Sequence, residues 1–200
     1  MTRRHLVLFV RAPRYGVGKR RLARDIGDAA SLRFERAMLA LLTRRLGHDR
    51  RWRLRLAVTP DRARRRARLW PRGVAIGAQG DGDLGRRMWR ALAACPPGPA
   101  VLVGGDIPAL APHHIAEAFR LLGIHDLVFG PASDGGFWLI GARSGPRLPP
   151  LFGPVRWSGP HALADVLGNL PPRVSVGFAA RLEDVDDGAS YRRLAPRREF

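Results

Sequence analysis

The sequence predicts a three-layer α/β/α sandwich around a mainly parallel, mixed sheet. Two observations carry the architecture. Short apolar runs alternate along the chain with stretches of helical period, the order expected when crossover helices join parallel strands. The runs at 5–10 and 100–103 are almost wholly apolar, as strands covered on both faces must be. The chain has 200 residues, 46 % apolar and 26 % charged, which suits one soluble domain and excludes a disordered one. No linker, repeat or low-complexity segment divides it, so one domain over residues 1–200 is expected.

In order, residues 5–10 read as the first strand. The segment 11–19 (RAPRYGVGK) is a loop, punctuated by Pro and Gly. Asp28 is the expected N-cap of a helix over 29–46, where Leu32, Met38, Leu39, Leu42 and Leu46 recur near helical spacing and Gly47 ends the run. Residues 53–58 alternate Arg with apolar residues and form a second strand nearer a sheet edge. Pro60 opens a short Arg-rich helix ending near Trp70. A third strand at 74–76 precedes the loop 79–85 (QGDGDLG) and a helix through Ala94. The turn at 96–99 (PPGP) cannot be helical. A fourth strand, 100–103, is followed by Gly104-Gly105-Asp106, and a helix runs from Pro112 to about Leu122. Strands at 126–129 and 137–140, a helix over 160–167, a strand near 174–176 and a final helical turn complete the order. Residues 143–160 could form a lid.

Cys95 is the only cysteine, which excludes a disulfide framework and a Cys-rich zinc module. No run of ~18 uncharged apolar residues exists, so no membrane span is expected. The apolar stretch of the N-terminus is too short for a signal peptide and is cut off by Arg11, which makes a cytoplasmic location the expectation. The net charge is +18, and it is uneven. Residues 1–72 hold 22 basic and 5 acidic side chains, whereas 73–200 hold 13 and 12. Among the basic residues 34 are Arg and one is Lys. The excess reads first as a solvated face, with an anionic partner as the alternative. No nucleic-acid-binding signature is present, so nucleic acid is not the expected partner.

Four segments carry candidate chemistry. The loop Arg14–Arg21 (RYGVGKRR) sets Gly16 and Gly18 beside Lys19, Arg20 and Arg21, and can place cations and backbone N–H groups around phosphates. It departs from a Walker A loop at Pro13 and Arg20. The plainer reading is a basic turn. Asp106 follows two glycines at the carboxyl end of a strand, where ligands bind in open α/β sheets, and it suits a divalent cation; capping the next helix is the plainer reading. Asp134-Gly135-Gly136 lets backbone lie against a ligand, or simply makes a hairpin turn. The segment 183–187 (EDVDD) places four acids in five residues, a costly arrangement unless a cation or a helix N-terminus offsets it. If Asp106 and Asp186 converge, they form a two-carboxylate metal site. His113 and His114 should point in different directions. Trp52, Trp70 and Trp89 are expected in the core or at a subunit contact, which allows a homodimer, whereas Trp157 can line a pocket.

The order of these segments resembles a bacterial family of small GT-A-like transferases, known as radical-SAM/selenodomain-associated transferases or arsenosugar-biosynthesis glycosyltransferases. The run Pro13 to Ala23 is similar to that family's P-x-P-G-x-V-K-T-R-L-A signature. In the same order come Gln79-Gly80 with 83–88 (DLGRRM), 105–108 (GDIP), 131–141 (PASDGGFWLIG), Leu151-Phe152, Trp157-Ser158 and Asp184-Val185-Asp186. The likeness covers about residues 5–195. It departs at Gly18, Arg20, Ile107 and Gly159, where the family has Val, Thr, Cys and Thr.

The resemblance implies the nucleotide-diphospho-sugar transferase fold, shared more distantly with molybdenum-cofactor and phospholactate guanylyltransferases. It implies nucleotide contacts from Ala12, Pro13, Gly16, Gly18, Lys19, Arg21, Gln79, Gly80 and Gly105. It implies Mg²⁺ or Mn²⁺ on Asp106 and Asp186, and an acceptor side made by Asp134, Gly135, Gly136, Trp157 and Ser158. Lys19, Asp106 and Asp134 are the expected catalytic groups, with Asp134 as the acceptor's base. The expected partners are a nucleotide-sugar or NTP donor and a small-molecule acceptor. Glycosyl transfer is the leading reaction and nucleotidyl transfer to a phosphorylated small molecule the alternative.

Overall fold

The structure, a computed structural model, describes residues 3–143 and 153–194. The resembling pair Leu151-Phe152 and half of the expected lid, 144–152, lie outside the described residues. Thirteen elements follow the expected alternation. They are β1 (His5–Arg11), α1 (Arg20–Ile26), α2 (Asp28–Gly47), β2 (Arg53–Thr59), β3 (Ala75–Ala78), α3 (Leu84–Ala93), β4 (Ala100–Gly104), α4 (Pro112–Leu121), β5 (Leu127–Pro131), β6 (Phe137–Ala142), α5 (Ala162–Gly168), β7 (Val176–Phe178) and α6 (Gly188–Leu194). The strands form one sheet in the order β3-β2-β1-β4-β6-β5-β7. All pairs are parallel except those made by β6, which runs antiparallel to both β4 and β5.

Strand alternation builds two cores. From β1, Leu6, Leu8 and Val10 face a layer of α1, α2, α4 and α6, where they meet Phe34, Met38, Leu42, Ile115 and Phe119. Val7 and Phe9 face the other layer and meet Met88, Leu92 and Val166 of α3 and α5. Val101 and Val103 of β4 repeat the first choice, and Ala100 and Leu102 the second. Both faces of the central strands are therefore dry, which explains their unbroken apolar sequence.

The chain departs from the sequence reading in detail. Asp28 is the first residue of α2, not its cap; Gly27 caps it, and the Asp28 carboxylate pairs instead with Arg20 at 3.1 Å. The Arg-rich segment after Pro60 forms two 3₁₀ turns, Asp61–Arg65 and Ala67–Leu69, rather than one α-helix. Closely spaced like charges disfavour a longer helix there, and Trp70 pins the first turn by donating Nε1–H to the Ala63 carbonyl at 2.8 Å. His113 and His114 do not diverge. Their rings lie 3.9 Å apart, and the His114 Nδ1 accepts from the Ala111 N–H, which turns that ring back over the start of α4. Trp52 and Trp70 are buried as expected.

The sheet order places the loops that follow β1 and β4 side by side. β2 and β3 extend outward from one side of β1, and the chain then returns to add β4 on its other side. Strand order reverses between β1 and β4, the position where ligand crevices form in open α/β sheets. Gln79 braces this edge. Its side chain is 1 % exposed and donates to the carbonyls of Val10 and Ala57, both at 2.9 Å, while its oxygen accepts from Arg87. Gln79→Leu would leave both carbonyls without that donor and should cost about 1–3 kcal/mol in urea unfolding, with the fold retained.

Candidate active site

The β1–α1 loop ends at Lys19, which takes left-handed backbone angles (φ 27°, ψ 51°) just before α1 begins. Such angles are costly for a non-glycine residue and aim this side chain inward. Gly18 precedes it at φ 92°, where a side chain would collide with the Glu35 carboxylate. The Lys19 side chain is only 11 % exposed. Its Nζ lies 2.7 Å from Asp106 Oδ2 and 3.0 Å from Asp186 Oδ1. Burial pulls the ammonium's pKa down, but the two carboxylates outweigh that, so it is held above the usual lysine value.

Asp106 leaves β4 through Gly104-Gly105. A Cβ on Gly105 would sit 2.6 Å from Val10 Cγ1, so close packing against β1 fixes that glycine. Asp184 and Asp186 flank Val185, which is fully buried and donates its N–H to the Asp106 carbonyl at 3.0 Å. Two carboxylates two residues apart in extended chain share a face when the residue between them is anchored in the core. One oxygen each of Asp106, Asp184 and Asp186 falls within a 4.8 Å group. Burial and the neighbouring carboxylates of Asp106 and Asp186 push the Asp184 pKa up to about 6, against the pull of Lys19. Arg21 Nη2 caps the group from outside, 2.7 Å from Asp186 Oδ2. Asp187 plays the capping part: its carboxylate accepts the Ser190 N–H at 2.8 Å at the start of α6.

The acidic group opens into a cavity of about 390 Å³. Arg21, Asp106, Asp184 and Asp186 line it together with Asp134, Gly136, Phe137, Trp157 and Ser158. Asp134 sits in the β5–β6 turn and accepts the Gly136 N–H through Oδ1 at 2.9 Å, while Oδ2 makes no hydrogen bond among the described residues. Gly135, at φ 85°, lies under the Pro160 carbonyl with no room for a side chain, and its own carbonyl accepts the Leu163 N–H. The turn is thus docked onto the 158–163 segment. Trp157 meets Phe137 edge-on at 6.3 Å. Asp165 of α5 ties this segment down by accepting three hydrogen bonds from Arg156, from its backbone N–H, Nε and Nη2, at 2.9, 2.9 and 2.7 Å.

Lys19, Arg21, Asp106, Asp134, Gly135, Gly136, Trp157, Ser158 and Asp186 therefore come together at one end of the sheet. Ala12 and Pro13 line a separate cleft of about 190 Å³ with Arg14, Val17, Pro60 and Arg62. Gly16 is exposed with open space around it. Gln79 is fully engaged inside the protein, and the Gly80 N–H donates to Asp61 at 3.0 Å. Two participants went unassigned in the sequence reading. Asp184 was signalled by the D-V-D alternation alone. Glu35 of α2 lies behind Lys19, where burial raises its carboxyl pKa to about 7 against the opposing pull of Lys19 and Arg11. Its sequence signal was slight, an acid in the middle of an otherwise apolar and basic helix.

The family of uncharacterized proteins conserved in bacteria (DUF2064) matches residues 42–159. The chain belongs to this family. Among solved structures it is similar to a candidate nucleotide-diphospho-sugar transferase from Desulfovibrio desulfuricans G20, at 25 % identity and TM-score 0.79 over 98 % of this chain and 92 % of that one. It is also similar in fold to Rv0371c of Mycobacterium tuberculosis H37Rv in complex with manganese (21 %, TM-score 0.57, 96 % and 98 % covered). A third likeness is to a CMP:2-keto-3-deoxy-manno-octonic acid synthetase complexed with CTP (12 %, TM-score 0.58, 96 % of both chains). No curated protein matches the DUF2064 chain. No helix among its described residues is long and apolar enough to cross a membrane.

Arg156 holds the Asp165 carboxyl well below the usual carboxylate range, chiefly through its side-chain hydrogen bonds. A depressed value means that the tether's contribution is complete above the ordinary carboxylate pKa and is lost only as pH falls through the lower, folded value. Asp165→Asn should speed proteolytic cutting within 153–161 at neutral pH with little change in melting temperature. Wild-type protein should keep the segment protected down to about pH 4.

Proposed function

We propose that this DUF2064 protein is a metal-dependent transferase using a nucleotide-activated donor, and that it moves a glycosyl group from a nucleotide-sugar to a small-molecule acceptor. The observation that carries this reading is the meeting of Lys19 with Asp106, Asp184 and Asp186 beside a cavity that Asp134 also lines. The likeness to the Desulfovibrio protein and the resemblance to the arsenosugar-type glycosyltransferases support it.

Asp106, Asp184 and Asp186 would hold Mg²⁺ or Mn²⁺. The fit is chemical: three hard oxygen donors gather in one group, three carboxylates against one ammonium and one guanidinium. When bound, such an ion supplies Lewis-acid stabilisation of charge on a departing diphosphate. Lys19 and Arg21 would grip the donor phosphates and oppose the charge that grows on them, acting by position and without reorganising. Ala12, Pro13, Gly16, Gly18, Gly80 and Gly105 would line the nucleotide's path, with Gln79 bracing the strand edge beneath it. Gly135, Gly136, Trp157 and Ser158 would shape the acceptor side. In the transfer, the bond from the sugar carbon to the diphosphate breaks and its electron pair leaves with the nucleoside diphosphate. The acceptor oxygen bonds to that carbon, and its proton passes to the Asp134 carboxylate.

Nucleotidyl transfer is the second reading, favoured by the fold likeness to the CTP-bound synthetase. The same cations would then face a triphosphate that releases pyrophosphate.

A screen of NTPs and nucleotide-sugars with Mg²⁺ or Mn²⁺ should raise the melting temperature for the true donor. Asp106→Ala should remove that shift while leaving the apo protein folded. Indifference to every nucleotide would overturn the proposal. Asp134→Asn should keep the donor-induced shift but lower turnover by about 10²–10⁴-fold. Unchanged turnover would remove Asp134 as the base.

A further inference from the structure

A second concave surface lies at the other end of the sheet. α2 runs back from the active site and ends at Gly47 near the start of β2, where Gly47 packs on Leu54, and Val74 immediately precedes β3. Between α2 and the 68–74 segment is a groove of about 650 Å³. Its rim carries Arg36, Arg44, Arg68 and Arg72, with His48 at the end, over a floor that includes Leu39 and Leu69. The four arginines are exposed. Among the described residues none of them makes an ion pair or hydrogen bond. The acids of residues 28–74 are engaged elsewhere: Asp28 on Arg20, Asp49 on Arg51, Asp61 on the Gly80 N–H, and Glu35 behind Lys19. The basic excess of the first 72 residues is thus gathered, in part, along a cleft with no internal counter-charge.

The shape narrows the partner. From Arg36 to His48 the helix rises about 18 Å, so the arginines of α2 and of the facing 68–74 segment form a row along one groove, which suits a single extended phosphate chain. Planar guanidiniums pair with phosphates two hydrogen bonds at a time. No Phe, Tyr or Trp ring lines the groove: Trp70 is buried, and its N–H is committed to Ala63. His48 at one end is the one ring a base could meet, so there is no row of stacking platforms and the phosphate chain is the part that would be held. The large exposed apolar side chains, Tyr15, Val17, Ile124 and Phe178, lie off this groove, so it offers no wedge for a lipid surface.

We propose that this arginine groove is a second binding site, separate from the active site, that holds a single nucleic-acid strand by its phosphates without reading sequence. The site tethers the protein to RNA or single-stranded DNA and leaves the opposite end of the sheet open to donor and acceptor.

The test is binding of fluorescein-labelled rU12 and of a mixed-sequence 12-mer to the full chain, followed by anisotropy across a salt series. Four phosphate contacts predict a slope of log K on log [salt] of about −2.8, roughly fifty-fold weaker binding at 200 mM than at 50 mM salt, equal for both sequences. Arg44→Glu with Arg72→Glu should weaken binding at least ten-fold, leaving the melting temperature and any nucleotide-induced shift unchanged. Arg64→Glu with Arg65→Glu, outside the groove lining, is the control for net charge. Inorganic polyphosphate should displace the strand, and poly-glutamate of equal charge should not. No binding at low salt, an equal loss in the Arg64/Arg65 control, a strong sequence preference, or equal displacement by poly-glutamate would each overturn the proposal.

Discussion

One buried ammonium organises this protein. Lys19 is almost closed off from water and lies between carboxylates that come from positions 106 and 186. Burying a charge without partners costs several kcal/mol, so the three segments that meet there are bound to one another by the cost of separating them. The β1–α1 loop accepts a left-handed Lys19, the end of β4 is narrowed to glycine against Val10, and Val185 is sunk into the core between two acids. Each of these local features makes sense only as a means of bringing side chains to one point. The sheet order serves the same end, since the reversal between β1 and β4 sets their exits side by side.

The charges around this point are sorted. The first third of the chain supplies cations, Lys19 and Arg21 at the site and the arginines of the α2 groove at the far end. The second half supplies the carboxylates Asp106, Asp134, Asp184 and Asp186. In the proposed transferase this sorting would bring donor phosphates to the cations and a divalent ion to the carboxylates, and Phe137, Trp157 and Ser158 would give the acceptor an aromatic and hydroxyl-bearing surface.

Much of this was legible in the sequence. Two-sided burial wrote itself into the unbroken apolar runs of β1 and β4, and glycines marked the sharp exits at 16–18, 104–105 and 135–136. Isolated carboxylates after strands pointed to the end of the sheet where they now lie. What was hidden depends on distance in the chain. Asp184 could not be separated from Asp186 and Asp187 by spacing, because only the burial of Val185 and the capping bond of Asp187 tell the three apart. The 3₁₀ turns after Pro60 depend on Trp70 reaching back to Ala63. The His113–His114 contact depends on the Ala111 N–H turning one ring. Gln79 reads as a ligand-loop residue, yet its amide is consumed by two carbonyls from neighbouring strands.

The antiparallel β6 has a consequence for how this architecture can change. A parallel strand must be reached by a crossover that rebuilds a helical layer, but β5 and β6 are joined by a short hairpin at the same end of the sheet as Asp106. Asp134 therefore rides on a loop whose tip contributes nothing to either apolar core. Insertions or exchanges at that tip would resculpt the cavity beside the carboxylates while every strand pair stayed in register, so one scaffold could serve many second substrates with its charged centre untouched.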